Sequence, residues 1–377
     1  MLMGEGVSVV IFEGTAAASP VEKMLVRVRQ ALLHDNLEKL SRLEGVGRVF
    51  LITNNPALAE MARSTGAEMI LNRQHPDSFH FGNELKKLVL ERKLKKVFYL
   101  SGAGCPLITM AELEQICEKL AGRPSLLYAN NIQSADIIAF TVPDNFSAAA
   151  LDEMDNSLAM TLRDQCGMEL ELMPQTLGLL FDLDTPADML VLGAGPFAGP
   201  RARAVLDDLA LDYSLLERAK DVLRDSYRDV ALIGRVGAPI IERMNALLKL
   251  RLRVFSEERG MKALGRQASG EVVSLLGFLI EHAGLERFFD YLAQVADCAF
   301  IDSRVLFAHY KYNFSDRERF LSDLGFWEDI EHPWLKEFTR TAMQCPIPVI
   351  LGGHSLVSGS LWALTCELDP ALRVDSC

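Results

Sequence analysis

Short apolar runs that stop on turn residues, with helical patterns between them, constrain this chain most. Val7–Phe12 (VSVVIF) stops at Glu13-Gly14, Arg48–Thr53 (RVFLIT) at Asn54-Asn55, and Lys96–Leu100 (KVFYL) at Ser101-Gly102. Runs this short, rich in Val, Ile and Phe, read as strands buried on both faces, the habit of parallel sheets. The segments between them carry helix signals. Asn55 can cap a helix with Pro56 at its first position, and Gly66 suits its stop. Thr109-x-x-Glu112 is a capping box, and Leu113, Ile116, Cys117 and Leu120 follow at the spacing of one helix face. Strands and helices in alternation predict an α/β fold with a mainly parallel sheet.

A second series follows a break. Gly193–Pro200 (GAGPFAGP) is too rich in Gly and Pro for a regular element and reads as a linker. We therefore expect one domain over 1–193, a linker and polar helical segment over 194–228, and a second α/β, Rossmann-like domain over 229–377. In that last part Val230–Ile233, Leu252–Phe255, Cys298–Ile301 and Pro348–Leu351 read as strands. Ala238–Leu250, Glu271–Val295 and Leu361–Leu368 read as helical.

Charge and cysteines exclude several classes. The 377 residues carry a net charge of -12, and the acid excess runs through both halves, so neither half is a polycation made for nucleic acid. The densest basic stretch, Lys86 to Lys96, reads as the solvated face of a helix. Seven cysteines without a C-x-x-C pair suggest neither a zinc site nor a disulfide framework, and reduced thiols in a cytoplasmic protein are the natural reading. No apolar run reaches the roughly 18 residues of a membrane span. Met1–Gly6 carries acid rather than base, unlike a signal peptide. A homodimer is compatible with all of this.

Ligands of open α/β sheets bind outside the carboxyl ends of the strands. The loops there are Glu13–Pro20, Thr53–Asn55, Ser101–Pro106 and Asp182–Thr185. In the third, Gly102 and Gly104 let another molecule approach the backbone, although a tight strand-to-helix turn would use them equally. Taken in order, four places resemble a known family. The first is the small-residue loop Glu13-Gly14-Thr15-Ala16-Ala17-Ala18-Ser19-Pro20 with Lys23 downstream. The second is the strand end Ile52-Thr53-Asn54-Asn55. The third is the turn Ser101-Gly102-Ala103-Gly104-Cys105-Pro106-Leu107. The fourth is Asp182-Leu183-Asp184-Thr185-Pro186-Ala187-Asp188, similar to a D-x-D-T-P-x-D ending. Residues 7–192 resemble the MobA-like nucleotidyltransferases, a GT-A-type fold shared with sugar-nucleotide pyrophosphorylases.

That resemblance implies transfer of a nucleoside monophosphate from a nucleoside triphosphate to a small phosphorylated or hydroxylated acceptor, with pyrophosphate leaving. It implies a phosphate cradle of Gly14, Thr15 and Lys23, with Glu13 also at the nucleotide. Asn54, Ser101, Gly102 and Gly104 would line the nucleotide, and Gly82 and Asn83 would lie against the base. Lys23, Asp182 and Asp184 would serve catalysis, and the two aspartates would hold Mg²⁺, a hard cation suited to oxygen ligands. The sequence departs from the family in two places. Its first loop is Thr-Ala-Ala-Ala-Ser-Pro rather than glycine-rich, with no Arg before Lys23, and the Ser101–Cys105 turn has no carboxylate. A protein of the same fold that binds a nucleotide or sugar nucleotide without turnover is the alternative. Thr185, Pro186 and Asp188 also have a plain reading as a helix start.

The second half offers weaker signals. Gly234-Arg235-Val236-Gly237, with Glu257 after the next strand, is a partial dinucleotide fingerprint or an ordinary βαβ turn. Gly353-His354-Ser355-Leu356-Val357 has Val where a nucleophile elbow needs its second Gly. It reads instead as an anion site of Gly353, Ser355 and Ser358 with Arg304 as counter-charge, or as a glycine turn with capping serines. His309 and His354 read as structural or solvent-facing.

Overall fold

The computed structural model describes residues 6–14, 17–74, 78–132 and 135–368. The chain divides into two compact units. The first is Met1–Ala16 with Arg29–Leu180, and the second is Ala17–Val28 with Phe181–Cys377. Gly193–Pro200 thus lies within the second unit.

The first unit is built on strands β1 (Val7–Glu13), β2 (Val46–Thr53), β3 (Glu68–Leu71), β4 (Lys96–Ser101), β5 (Leu127–Ala129), β6 (Ile137–Thr141) and β7 (Leu170–Leu172). They form one sheet in the order β3-β2-β1-β4-β6-β5-β7. β1 runs parallel to β2 and β4, and β6 is antiparallel to both β4 and β5. Helices α1 (Pro20–Leu40), α2 (Ala59–Ser64), α3 (Phe81–Glu91), α4 (Met110–Gly122), α5 (Leu158–Cys166) and α6 (Leu177–Leu180) connect them. The division between the units falls inside α1. β1 shows why the sheet is covered on both sides. Val7, Val9 and Ile11 pack into one core with Leu33, Leu37 and Ile116. Val10, pointing the other way, packs with Phe50, Leu85 and Phe140. Period-two alternation with apolar residues on both faces is what makes the strand read as an unbroken apolar run.

The helix starts follow the sequence signals. Asn55 Oδ1 accepts from Ala57 N at 3.0 Å, and Gly66 takes a φ of +74°. Thr109 and Glu112 form the capping box of α4, whose Leu113, Ile116, Cys117 and Leu120 are buried. The Lys86–Lys96 stretch is the outer face of α3 and the turn after it. Lys87, Arg92, Lys93 and Lys95 are exposed, while Leu88, Val89 and Leu94 are buried.

The second unit opens with α7 (Pro186–Ala194), α8 (Pro200–Leu209) and α9 (Ser214–Arg224). The Gly/Pro-rich stretch is the corner between α7 and α8. Arg203 of α8 donates to the carbonyls of Leu192, Gly193 and Gly195, groups that a helix end leaves without partners. Then come β8 (Asp229–Gly234), α10 (Ala238–Leu247), β9 (Arg251–Ser256), α11 (Leu275–Ala283) and α12 (Leu285–Val295). They are followed by β10 (Cys298–Asp302), α13 (Arg304–His309), α14 (Asp316–Asp323), α15 (Pro333–Met343), β11 (Val349–Gly352) and α16 (Leu361–Leu368). The four strands form an all-parallel sheet in the order β11-β10-β8-β9. The apolar stretch Glu271–Val295 is two helices rather than one, because Gly284 between them sits at φ +82°.

Candidate functional site

In the first unit the chain passes from β1 to β2 and β3 on one side, then returns to β4 on the other. The carboxyl ends of β1 and β4 are therefore a switch point, where α/β sheets of this kind leave a crevice. Glu13 ends β1 there with its side chain fully buried. A buried carboxylate needs a partner, and Arg29 supplies it. Its Nε donates to Glu13 Oε1 at 3.3 Å and its terminal nitrogen to Oε2 at 3.0 Å. Gly102 opens the facing turn, and its N–H donates to Phe12 O at 2.9 Å. A Cβ on Gly102 would lie 1.6 Å from Glu13 Oε2, so the turn can close over the ion pair only with glycine. A Cβ on Gly104 would lie 2.0 Å from Ser101 Oγ and 3.1 Å from Asp136 Cβ.

Asp136 is a residue that sequence reasoning missed. The Ser101–Cys105 turn has no carboxylate of its own, but the start of β6 brings Asp136 beside it, and Ser101 N donates to Asp136 O at 2.9 Å. Tyr99 and Asp155 were missed as well. The buried Tyr99 hydroxyl donates to Asp155 Oδ2 at 2.5 Å. Burial first, then Asp155, hold its pKa well above the ordinary phenol value, and Asp136 and Glu13 push the same way. Nothing local in the sequence announces Asp136 or Asp155, which reach β4 from more than thirty positions downstream.

The other expected residues of this unit are placed as follows. Gly14 and Asn54 are exposed at the strand ends, and Thr15 lies outside the described residues. Gly82 is buried, its N–H donates to Asp152 O at 3.0 Å, and a Cβ there would lie 2.4 Å from Leu151 Cβ. Its small size answers to that packing. Asn83 is exposed on α3, with its backbone N–H donating to His80 Nδ1 at 3.3 Å.

Lys23, Asp182 and Asp184 belong to the second unit. Lys23 is exposed near the start of α1, behind Ser19 and Glu22, whose carboxylate accepts from Ser19 N at 2.7 Å. Asp182 Oδ1 accepts from Leu183 N at 2.8 Å, and Asp184 is exposed. Thr185 and Asp188 form the capping box of α7 with Pro186 at its first position, the plain reading of that motif. Asp188 does more than cap. It is wholly buried and also accepts from Ser355 Oγ at 2.5 Å and Ser360 Oγ at 2.6 Å. Burial pushes its pKa up to about 6, although three hydroxyl hydrogen bonds pull the other way.

The expected anion cradle around Arg304 thus has three polar groups bonded inside the protein. Ser355 serves Asp188, and Ser358 Oγ donates to His354 O at 2.9 Å. Arg304 pairs with Asp323 through two nitrogens, at 2.7 and 2.5 Å. Gly353 is buried, and a Cβ there would lie 2.9 Å from Thr185 Cγ2. Glu257 accepts from Ser274 Oγ at 2.6 Å and Leu275 N at 2.7 Å, which anchors α11. With its carboxylate so engaged, the ordinary βαβ turn is the better reading of the second half's glycine motif. His309 Nδ1 accepts from Ser274 N at 3.1 Å, a structural role.

Among the described residues no three His, Cys, Asp or Glu side chains come together to share an ion. Both oxygens of Glu13 are held by Arg29.

The first unit is a mixed and largely parallel sheet with helices on both faces. Among solved structures this chain is similar to a cytidylyltransferase from Leptospira borgpetersenii serovar Hardjo-bovis, at 13% identity and a TM-score of 0.38 over 54% of this chain and 93% of that one. It is similar to CMP:2-keto-3-deoxy-manno-octonic acid synthetase complexed with CTP, at 15% and 0.32 over 45% and 89%. The 4-diphosphocytidyl-2C-methyl-D-erythritol synthase of Anaerococcus prevotii follows at 11% and 0.34 over 49% and 95%. No protein-family model matches the sequence, and no curated protein matches it. No described helix is long and apolar enough to cross a membrane.

Proposed function

We propose that the first unit binds a nucleoside triphosphate at the carboxyl ends of β1 and β4. The chain then transfers its nucleotidyl group to a small phosphorylated or hydroxylated acceptor. An acceptor oxygen attacks the α-phosphorus, and the bond to the β-phosphate oxygen breaks to release pyrophosphate. The observation that carries this reading is the turn of Gly102 and Gly104 over the buried Glu13–Arg29 pair at the switch point. Backbone without side chains beside a fixed ion pair is a surface that a flat, charged ligand can approach closely. Gly14, Asn54 and Ser101 complete the proposed nucleotide surface. Lys23, Asp182 and Asp184, on the second unit, are proposed as catalytic and are tested by substitution.

One observation favours a second reading, a binder of nucleotide or sugar nucleotide without turnover. Both Glu13 oxygens are already engaged by Arg29, which commits that carboxylate to a buried ion pair rather than to a reacting group. Equilibrium dialysis of the full chain against each of the four nucleoside triphosphates tests binding. Pyrophosphate release with sugar phosphates and polyol phosphates tests transfer. We expect one triphosphate to bind preferentially, and Gly102→Ala to abolish that binding while circular dichroism stays unchanged. Binding to none of the four, or binding undiminished in the variant, overturns the site. Binding without pyrophosphate release for any acceptor overturns the transferase and leaves the second reading.

A further inference from the structure

The second unit has a switch point of its own. β9 and β10 lie on opposite sides of β8, so the carboxyl ends of β8 and β10 flank a crevice of the kind that binds ligands. Gly234 ends β8 at φ +104°, and a Cβ there would lie 2.6 Å from Asp302 Cβ, at the end of β10. That close approach lets Arg235 clamp Asp302, with Nε donating to Oδ2 at 2.6 Å and a terminal nitrogen to Oδ1 at 3.1 Å. Arg304, just after β10, is paired with Asp323. Two buried aspartates therefore neutralise two arginines.

Three more cations at this edge are not neutralised in the same way. Arg259 stands over the β8–α10 turn, where a Cβ on Gly237 would lie 2.9 Å from its guanidinium. Arg319 pairs with Asp316 through a terminal nitrogen, but its Nε is buried with no hydrogen-bond partner. Lys262 is exposed, and the charges around it are Arg235 first, then the opposing Asp184, then Arg319 and Arg304. Crowding by surrounding protein, then Arg235, hold its amine below the ordinary lysine value. His354, in the loop after β11, is pushed down to about 4 by desolvation and then by Arg235, so at neutral pH it is an uncharged hydrogen-bonding group. Like charges gathered with an unused buried donor are unfavourable by themselves, and a small anion with several oxygens relieves both defects.

We propose that this edge of the second sheet binds a phosphate dianion, free or as a phosphate monoester, between Lys262, Arg259 and Arg319, with His354 as a further hydrogen-bond partner. The proposal does not rest on the nucleotide reading, although Asp184, proposed there as catalytic, is one of the charges facing Lys262. The test is equilibrium dialysis of the full chain against radiolabelled inorganic phosphate at fixed chloride. One saturable site per chain is expected. Lys262→Ala and Arg319→Gln should each weaken it about tenfold or more, the loss of one charge-assisted contact. Lys87→Ala, an exposed lysine of α3, should leave it unchanged. Because Lys262 is exposed, its variant keeps the fold even if Arg319→Gln does not. Displacement of the label by a sugar phosphate at lower concentration than by phosphate itself marks a monoester site, and preference for phosphate marks the free ion. Binding that does not saturate, or wild-type binding in Lys262→Ala, overturns the proposal.

Discussion

Replacing Asp188 should unfold the second unit more readily than any surface change. Its carboxylate accepts from Thr185 N and Thr185 Oγ1, both at 2.9 Å, and from the hydroxyls of Ser355 and Ser360. Asp188→Ala leaves four buried donors. The three hydroxyls can turn to other acceptors, but the Thr185 N–H cannot. At about 1–3 kcal/mol for each buried group left unsatisfied, we expect a loss of about 3–5 kcal/mol, a large share of a domain's stability. The same carboxyl gives a pH signature. Its pKa is raised in the folded state from 3.8 to about 6, so the native state holds its proton longer than the unfolded chain does. Its contribution is fully present below about pH 4 and is lost as pH rises through 6, about 3 kcal/mol in all. Asp188→Asn cannot titrate and should lack that slope. The three tryptophans, Trp327, Trp334 and Trp362, lie in the second unit, so their fluorescence during denaturant unfolding reads its stability. A Asp188→Ala loss under about 1 kcal/mol at pH 5, or the same pH slope in Asp188→Asn as in wild type, would refute the reasoning.

Two further outcomes follow from the site geometry. Glu257→Gln should lower the second unit's unfolding free energy by about 1–2 kcal/mol, since it weakens the anchor on Ser274 and Leu275, and the same fluorescence reads it. Lys23→Ala should weaken triphosphate binding by about 1.5–3 kcal/mol, the loss of one charge-assisted contact, and unchanged affinity in calorimetry removes Lys23 from the site.

Most of the framework could be read from residues alone, for a physical reason. β1, β2, β4, β8 and β10 are buried on both faces, so they appear as unbroken apolar runs. The caps at Asn55, Thr109 and Thr185 are local chemistry within three residues. β5 and β7 escape such reading because three residues carry no period. The helix break at Gly284 was hidden by apolar residues on both sides of it. Glu13 and Gly102 were visible because strand ends announce themselves. Arg29, Asp136 and Asp155 were not, since only the folded sheet brings them to β1 and β4. Asp188 shows the same limit. Its capping role was legible, while its bonds to Ser355 and Ser360 span more than 160 residues of chain. Of the serines read as an anion cradle, Ser355 is one of its partners, while Ser358 bonds the carbonyls of His354 and Ser355.

The central claim is that nucleotide binds at the carboxyl ends of β1 and β4. Hydrogen exchange of the full chain, with and without each nucleoside triphosphate, tests this directly, because amides covered by ligand or tightened by it exchange more slowly. The account predicts slowed exchange at Glu13–Gly14, Thr53–Asn55 and Ser101–Cys105, absent in Gly102→Ala. Slowed exchange confined to the loops around Lys262 and Arg319, or none with any triphosphate, would contradict it.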